Sequence, residues 1–269
     1  MRWSASALGL AFMALAGLSA PAEQPMDDNE AARAVIRKAL DRAVWNEQQN
    51  VSAKLRSAMT RDVRHFNGDG EIETEELSEY EVIPIDGAPY ERRLTMNGRP
   101  LNDEELEQER EREGSFRDGL AQPDDSQPEE DEDRIAFSEE LIARYVFTLE
   151  GEEPLRGRPS DKVSFRPRPG ELPVRRRIDY ALNKAQGTVW IDRATHEAAR
   201  VEFELIDKVR LWWGVLGTIN HARGSTDRGP VLGDTWGRLQ TESYTDVRVV
   251  FTRTRRAELQ TWRDFEWVE

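Results

Sequence analysis

GTVWIDRATHEAARVEFEL, residues Gly187 to Leu205, reads as strand, turn, strand. Thr188–Ile191 is extended, Asp192–His196 is polar and turns, and Ala199–Leu205 is extended again. Val189, Ile191, Val201 and Phe203 fall on alternate positions, so each strand offers an apolar set to one face of a sheet. The parity that points inward is open. Trp190, at the centre of the first strand, is read as a core anchor.

Short strands of this kind extend in both directions along the chain. Upstream, Asp62–Phe66 and Glu71–Glu76 flank Asn67-Gly68-Asp69-Gly70. Ser78–Ile85 and Pro89–Thr95 flank Asp86-Gly87, and Asn97-Gly98 makes the next turn. Asp-Gly and Asn-Gly supply the positive φ of tight hairpins, which predicts an antiparallel meander. Downstream, Tyr145–Leu149, Lys162–Pro167, Ala199–Lys208, Thr218–Gly224, Asp234–Glu242, Thr245–Thr254 and Ala257–Phe265 read as further strands. No βαβ alternation is visible. Asp27-x-x-Glu30 resembles a capping box. It opens one long amphipathic helix with Ile36, Leu40, Val44, Val51, Leu55 and Met59 on a single stripe. Asn102 caps a charged helix that Gly114 stops, and Phe137–Ala143 makes a short one. The predicted class is α+β: a half-open antiparallel β-barrel, or strongly curved sheet, with the long N-terminal helix and short helices on its concave face.

Composition narrows the function. The 269 residues carry a net charge of −14, which argues against nucleic acid as a partner and against adhesion to anionic lipid heads. There is no cysteine, hence no disulfide, thiolate nucleophile or lipidation site. Arg2, the apolar run Ala5–Leu18 and Ala20-Pro21-Ala22 read as a secretory signal over residues 1–22, cleaved after Ala22. Residues 23–269 then form a single periplasmic domain. Gly119–Arg134 is dense in Asp and Glu with almost nothing apolar, and reads as a disordered acidic insertion. The arginines Arg156, Arg158, Arg166, Arg168 and Arg175 to Arg177 are expected to neutralise it.

Several stretches resemble exported lipoprotein-carrier-like (LolA/LolB-like) proteins, relatives of the outer-membrane lipoprotein-sorting proteins. They are Gly187–Asp192, Tyr80–Gly87 with Pro89–Arg93, Asn97–Leu101 before a charged helix, and Gly224-Ser225 with Trp236. The resemblance covers roughly residues 30–265. It implies a half-open barrel whose concave face holds an apolar ligand such as an acyl chain. The acidic insertion departs from that pattern, and the cysteine of a membrane-anchored acceptor is missing.

No catalytic set can be assembled. His65, His196 and His221 lie far apart, and no G-x-S-x-G, H-E-x-x-H or S-x-x-K occurs. His65–Glu76 has the Gly and Glu spacing of a calcium loop, but its first position is His65 and its flanks read as strand, so a hairpin is expected. We expect a non-enzyme with no cofactor and no metal. The ligand site is placed at Leu211, Trp212, Trp213, Val215 and Leu216, where adjacent tryptophans near two glycines suit a barrel mouth. Expected partners are a hydrophobic ligand or a lipidated protein, with transient contact to a membrane. The competing expectation is an envelope interaction protein with a filled core.

Overall fold

The computed structural model describes residues 30–121, 138–211, 217–250 and 252–268. The proposed signal peptide and the body of the acidic insertion lie outside these residues.

Helix α1, Glu30–Gln49, buries Ala32, Ile36, Ala39 and Leu40 along one stripe. It ends at Asn50, whose φ of 48° is left-handed, and a 3₁₀ turn, Val51–Lys54, follows. The expected single helix through Met59 does not form. Leu55 and Met59 instead begin strand β1, Leu55–Phe66. A gap of four fits a helix face, but being even it also keeps two residues on one face of a strand. The strand wins because β1 pairs along its length with a neighbour on each side.

The remaining strands are β2 (Ile72–Ile85), β3 (Ala88–Met96), β4 (Arg99–Pro100), β5 (Tyr145–Leu155), β6 (Arg158–Pro167), β7 (Ala185–Asp192), β8 (Ala198–Leu205), β9 (Val209–Leu211), β10 (Gly217–Leu232), β11 (Thr235–Val249) and β12 (Thr252–Trp267). They form one antiparallel sheet in the order β4-β3-β2-β1-β12-β11-β10-β8-β7-β6-β5, with β9 paired to β10. First and last strands therefore lie side by side near the middle. β4 and β5 are left as edges, so the sheet is open, as the α+β half-open architecture requires. The hairpin turns carry the expected positive φ at Asp86-Gly87 and Asn97-Gly98. The loop after His65 is a hairpin turn in which Asn67 Oδ1 accepts from the backbone N–H of Asp69 and Glu71.

Several strands are longer than expected. The segments on either side of Leu77 form one strand, β2. Thr245–Thr254 is not a strand of its own: it spans the turn at Val250 between β11 and β12. Polar pairs such as Ser243 opposite Glu258 look like breaks in a single sequence, but ladders on both sides carry the strand through them.

Among the described residues, three further helices lie outside the sheet. Asn102 and Glu105 cap α2, Asp103–Ala121, by exchanging two side chain–backbone hydrogen bonds of 2.8 and 2.9 Å. The helix runs past Gly114 instead of stopping there. A mid-helix glycine costs only about 1 kcal/mol, and contacts on both sides of it hold the segment: Arg92 to Glu113 at 3.0 Å, and Phe116 to Tyr90 with ring centroids 5.0 Å apart. Tyr90 and Arg92 alternate with Glu91 along β3, so α2 packs on the face opposite the one Glu91 occupies. Ser138 caps α3, Glu139–Ala143. Helix α4 spans Asp179–Leu182.

The interior divides in two. One cluster joins α1 and Ile142 to Tyr145, Phe147, Val163, Val189 and Ile191. The other joins Met59, Tyr80, Val82 and Trp262, with Phe265 against it. The first half of α1 fills the sheet's β5–β7 side. Its second half reaches out toward the other cluster without filling the space beneath.

Candidate functional site

That unfilled space is a half-enclosed cavity of about 1000 Å³. This is at the top of the range of roughly 300–1,000 Å³ typical of small-molecule sites. Val44, Trp45 and Val51 form its roof. Leu55, Val82, Trp236, Trp262 and Phe265 form an aromatic and aliphatic floor on β1, β2, β11 and β12. Val44 continues the α1 stripe beyond Leu40, yet it is 42% exposed, and Trp45 is 46% exposed. Large apolar groups are left partly uncovered here because they border open space and not protein.

A polar clamp holds the roof in place. The Glu197 side chain, 2% exposed, accepts from Arg42 Nε and Asn46 Nδ2 at 2.8 Å each, and from Arg228 at 2.7 Å. Arg42 and Asn46 lie on the second half of α1, Glu197 in the β7–β8 turn and Arg228 on β10. One buried carboxylate thus ties helix, hairpin and sheet together where the cavity begins. The Arg42 guanidinium also stacks 4.3 Å from the Trp45 ring centre.

The β7–β8 turn is itself held firmly. Asp192 accepts from Arg158 Nε at 2.6 Å and from the Thr195 N–H and hydroxyl at 2.8 Å each. Burial pushes the Asp192 carboxyl up, but Arg158 and Thr195 outweigh it and hold its pKa below the ordinary value.

On the floor, β11 carries a bulge. Asp227 pairs with Gln240, whereas Arg228 pairs with Arg238, so Leu239 is an extra residue on β11. Trp236 and Arg238 precede it on alternate positions and both line the cavity. The Arg238 guanidinium sits 5.1 Å from the Trp262 ring centre. Arg238 is exposed along the cavity wall; partial desolvation by the protein packed around it lowers its pKa, Glu91 opposes this, and Arg228 adds to it.

Of the expected site residues, only Leu211 is among those described. Leu211 ends β9 opposite Gly217, and Trp212, Trp213, Val215 and Leu216 lie outside the described residues. The hairpin parity is now settled. Val189 and Ile191 face α1, Val201 packs beside them, and Phe203, 41% exposed, lies at the sheet surface. Trp190 is buried, but on the face opposite α1, between Lys162 and Arg200 at 5.3 and 5.7 Å from its ring centre. It anchors the outer surface, not the main core.

Arginines of the basic stretch have partners in the folded domain, while the body of the acidic insertion they were expected to neutralise lies outside the described residues. Arg156 pairs with Asp227, Arg158 with Asp192, and Arg176 with Asp179, all carboxylates outside the acidic insertion. Folding brings these acids closer than sequence distance suggests. Trp45, Trp262 and Arg238 were not singled out by sequence, and Trp236 entered only through the family resemblance. They come from separate segments, and only the fold gathers them around one space.

No protein-family model matches this chain, and no curated protein matches it. Among solved structures, the chain is similar to a DUF1329-family protein from Desulfovibrio piger, with 12% identity, 86% of this chain and 92% of that chain covered, and a TM-score of 0.32. It is also similar to a LolA-superfamily protein from Nitrosomonas europaea, with 9% identity, 88% and 94% covered, and a TM-score of 0.31. The second belongs to the group that the sequence resembles. Likeness this distant carries no argument about ligand or partner.

Proposed function

We propose that this is a non-catalytic periplasmic protein that shelters an apolar ligand, such as a lipid, an acyl chain or a lipidated peptide, in envelope lipid or lipoprotein trafficking. The observation that carries the reading is the cavity of about 1000 Å³ between α1 and the sheet, walled by Trp45, Trp236, Trp262 and Phe265. A folded chain gains by filling such a space, because apolar surface left uncovered forgoes about 25 cal/mol per Å². This one is left open and faced with aromatic rings, which favours a ligand site over a filled core serving only as a partner platform. The Trp212-Trp213 segment stays in the proposal as a second ligand contact, and residues 1–22 as the export signal. Native mass spectrometry of protein taken from the periplasm is expected to show co-purified lipid. Acyl ligands are expected to change the tryptophan fluorescence, and Trp213→Ala to remove part of that change. Protein that carries no lipid and whose fluorescence is indifferent to every acyl ligand would sink the reading.

A further inference from the structure

Among the described residues, every other arginine on the cavity wall has a carboxylate. Arg42 and Arg228 share Glu197, and Arg176 meets Asp179. Among the same residues the Arg238 side chain makes neither an ion pair nor a hydrogen bond, and its neighbour is the Trp262 ring, 5.1 Å away. The nearby Glu91 is engaged by Arg61. Two other acids on the wall, Glu47 and Asp234, are exposed, keep their water, and stand beyond ion-pair distance of Arg238. Arg238 is exposed, and its guanidinium borders the cavity with no ion-pair partner among the described residues. An anion entering the cavity meets a guanidinium whose donors are not already engaged. The Leu239 bulge breaks the register just beyond Arg238, a device that re-aims side chains next to binding sites.

We infer that the cavity takes an amphiphile with one anionic group, a carboxylate or phosphate on an acyl chain, and that Arg238 holds the anion while the aromatic floor takes the chain. The inference rests on the apolar-ligand reading above. A guanidinium offers two parallel N–H donors to a carboxylate or phosphate, so it suits either head. A free anion is a poorer occupant. It would meet one guanidinium on a chain of net charge −14, without the apolar contact that supplies the rest of the affinity.

The test compares oleate, oleyl alcohol, acetate and inorganic phosphate on the purified protein, by calorimetry below micelle-forming concentrations. Oleate is expected to bind about tenfold or more tighter than the alcohol, the worth of one charge-assisted hydrogen bond. Arg238→Gln is expected to abolish that preference, so that oleate and the alcohol bind the variant equally. Arg238→Lys is expected to keep part of it. Equal binding of oleate and alcohol by the natural protein overturns the inference and leaves the apolar-ligand reading standing, as does a preference that survives Arg238→Gln. Acetate or phosphate binding as tightly as oleate overturns it in favour of a free-anion site. Failure of both C18 ligands removes the apolar-ligand reading and this inference with it.

Discussion

Gly187 is set by close approach, not by φ. A Cβ built there would lie 1.9 Å from the Glu202 carbonyl oxygen and 2.8 Å from the Phe165 ring. Glu202 belongs to β8, which pairs with β7 at this point, so any side chain forces the two strands apart. Gly187→Ala is expected to cost about 1–3 kcal/mol in urea unfolding, the usual penalty for overpacking. An unchanged midpoint would show that the backbone relaxes freely here. Glu197 is a different kind of residue. Its carboxylate is buried only because three donors converge on it, and those donors come from α1 and β10. Neither residue is conspicuous in the sequence: a glycine before a strand and a glutamate after a turn have many bland uses. Their roles depend on atoms supplied from distant segments.

At the level of elements, α1 has two unequal halves. Ala32–Leu40 is packed into the core, whereas Val44 to Gln49 roofs the cavity and is held mainly by the Glu197 clamp. Glu197→Ala is expected to destabilise the protein by about 2 kcal/mol, because Arg42, Asn46 and Arg228 lose their acceptor. Amide hydrogen exchange should then quicken over Arg42–Gln49 and barely change over Ala32–Leu40. Uniform quickening along the helix would show that the roof does not open separately. The hairpin Gly187–Leu205 was legible as strand, turn, strand because its alternation and its turn are local. The end of α1 was not. The apolar residues at 51, 55 and 59 satisfy both helical and strand spacing, and only the partners β2 and β12 decide between them.

At the scale of the whole molecule, stability is tied to pH through buried carboxylates. Burial raises the Asp179 pKa, but the backbone N–H groups of Arg175 and Arg176 and the Arg144 charge bring it below its ordinary value. The Asp192 pKa is lowered likewise. Hydrogen bonding to Arg253 is the chief reason Asp246 falls to about 2, against the opposing effect of burial. Each group binds its proton more weakly folded than unfolded. The stabilisation they give is complete above the unfolded value of about 3.9 and is lost as pH falls through the folded values. The melting temperature is therefore expected to hold near pH 6 and to fall steeply between about pH 4 and pH 2. Asp246→Asn should flatten the lower part of that fall; a profile identical to that of the natural protein would remove Asp246 from the account.

What this chain determines by itself is local: alternating strands, Asp-Gly and Asn-Gly turns, the first helix and its apolar stripe, the capped charged helix. These depend on periodicity and on the conformational preferences of neighbouring residues, which a single sequence carries in full. The tertiary structure alone decided where α1 stops, which face of the hairpin turns inward, which acids the arginines meet, and that Trp45, Trp236, Trp262 and Arg238 surround one space. Those outcomes depend on strand order, on register and on one bulge at Leu239. Contacts between residues far apart in the chain, such as Leu55 opposite Trp267, set all three, and no local pattern encodes such contacts.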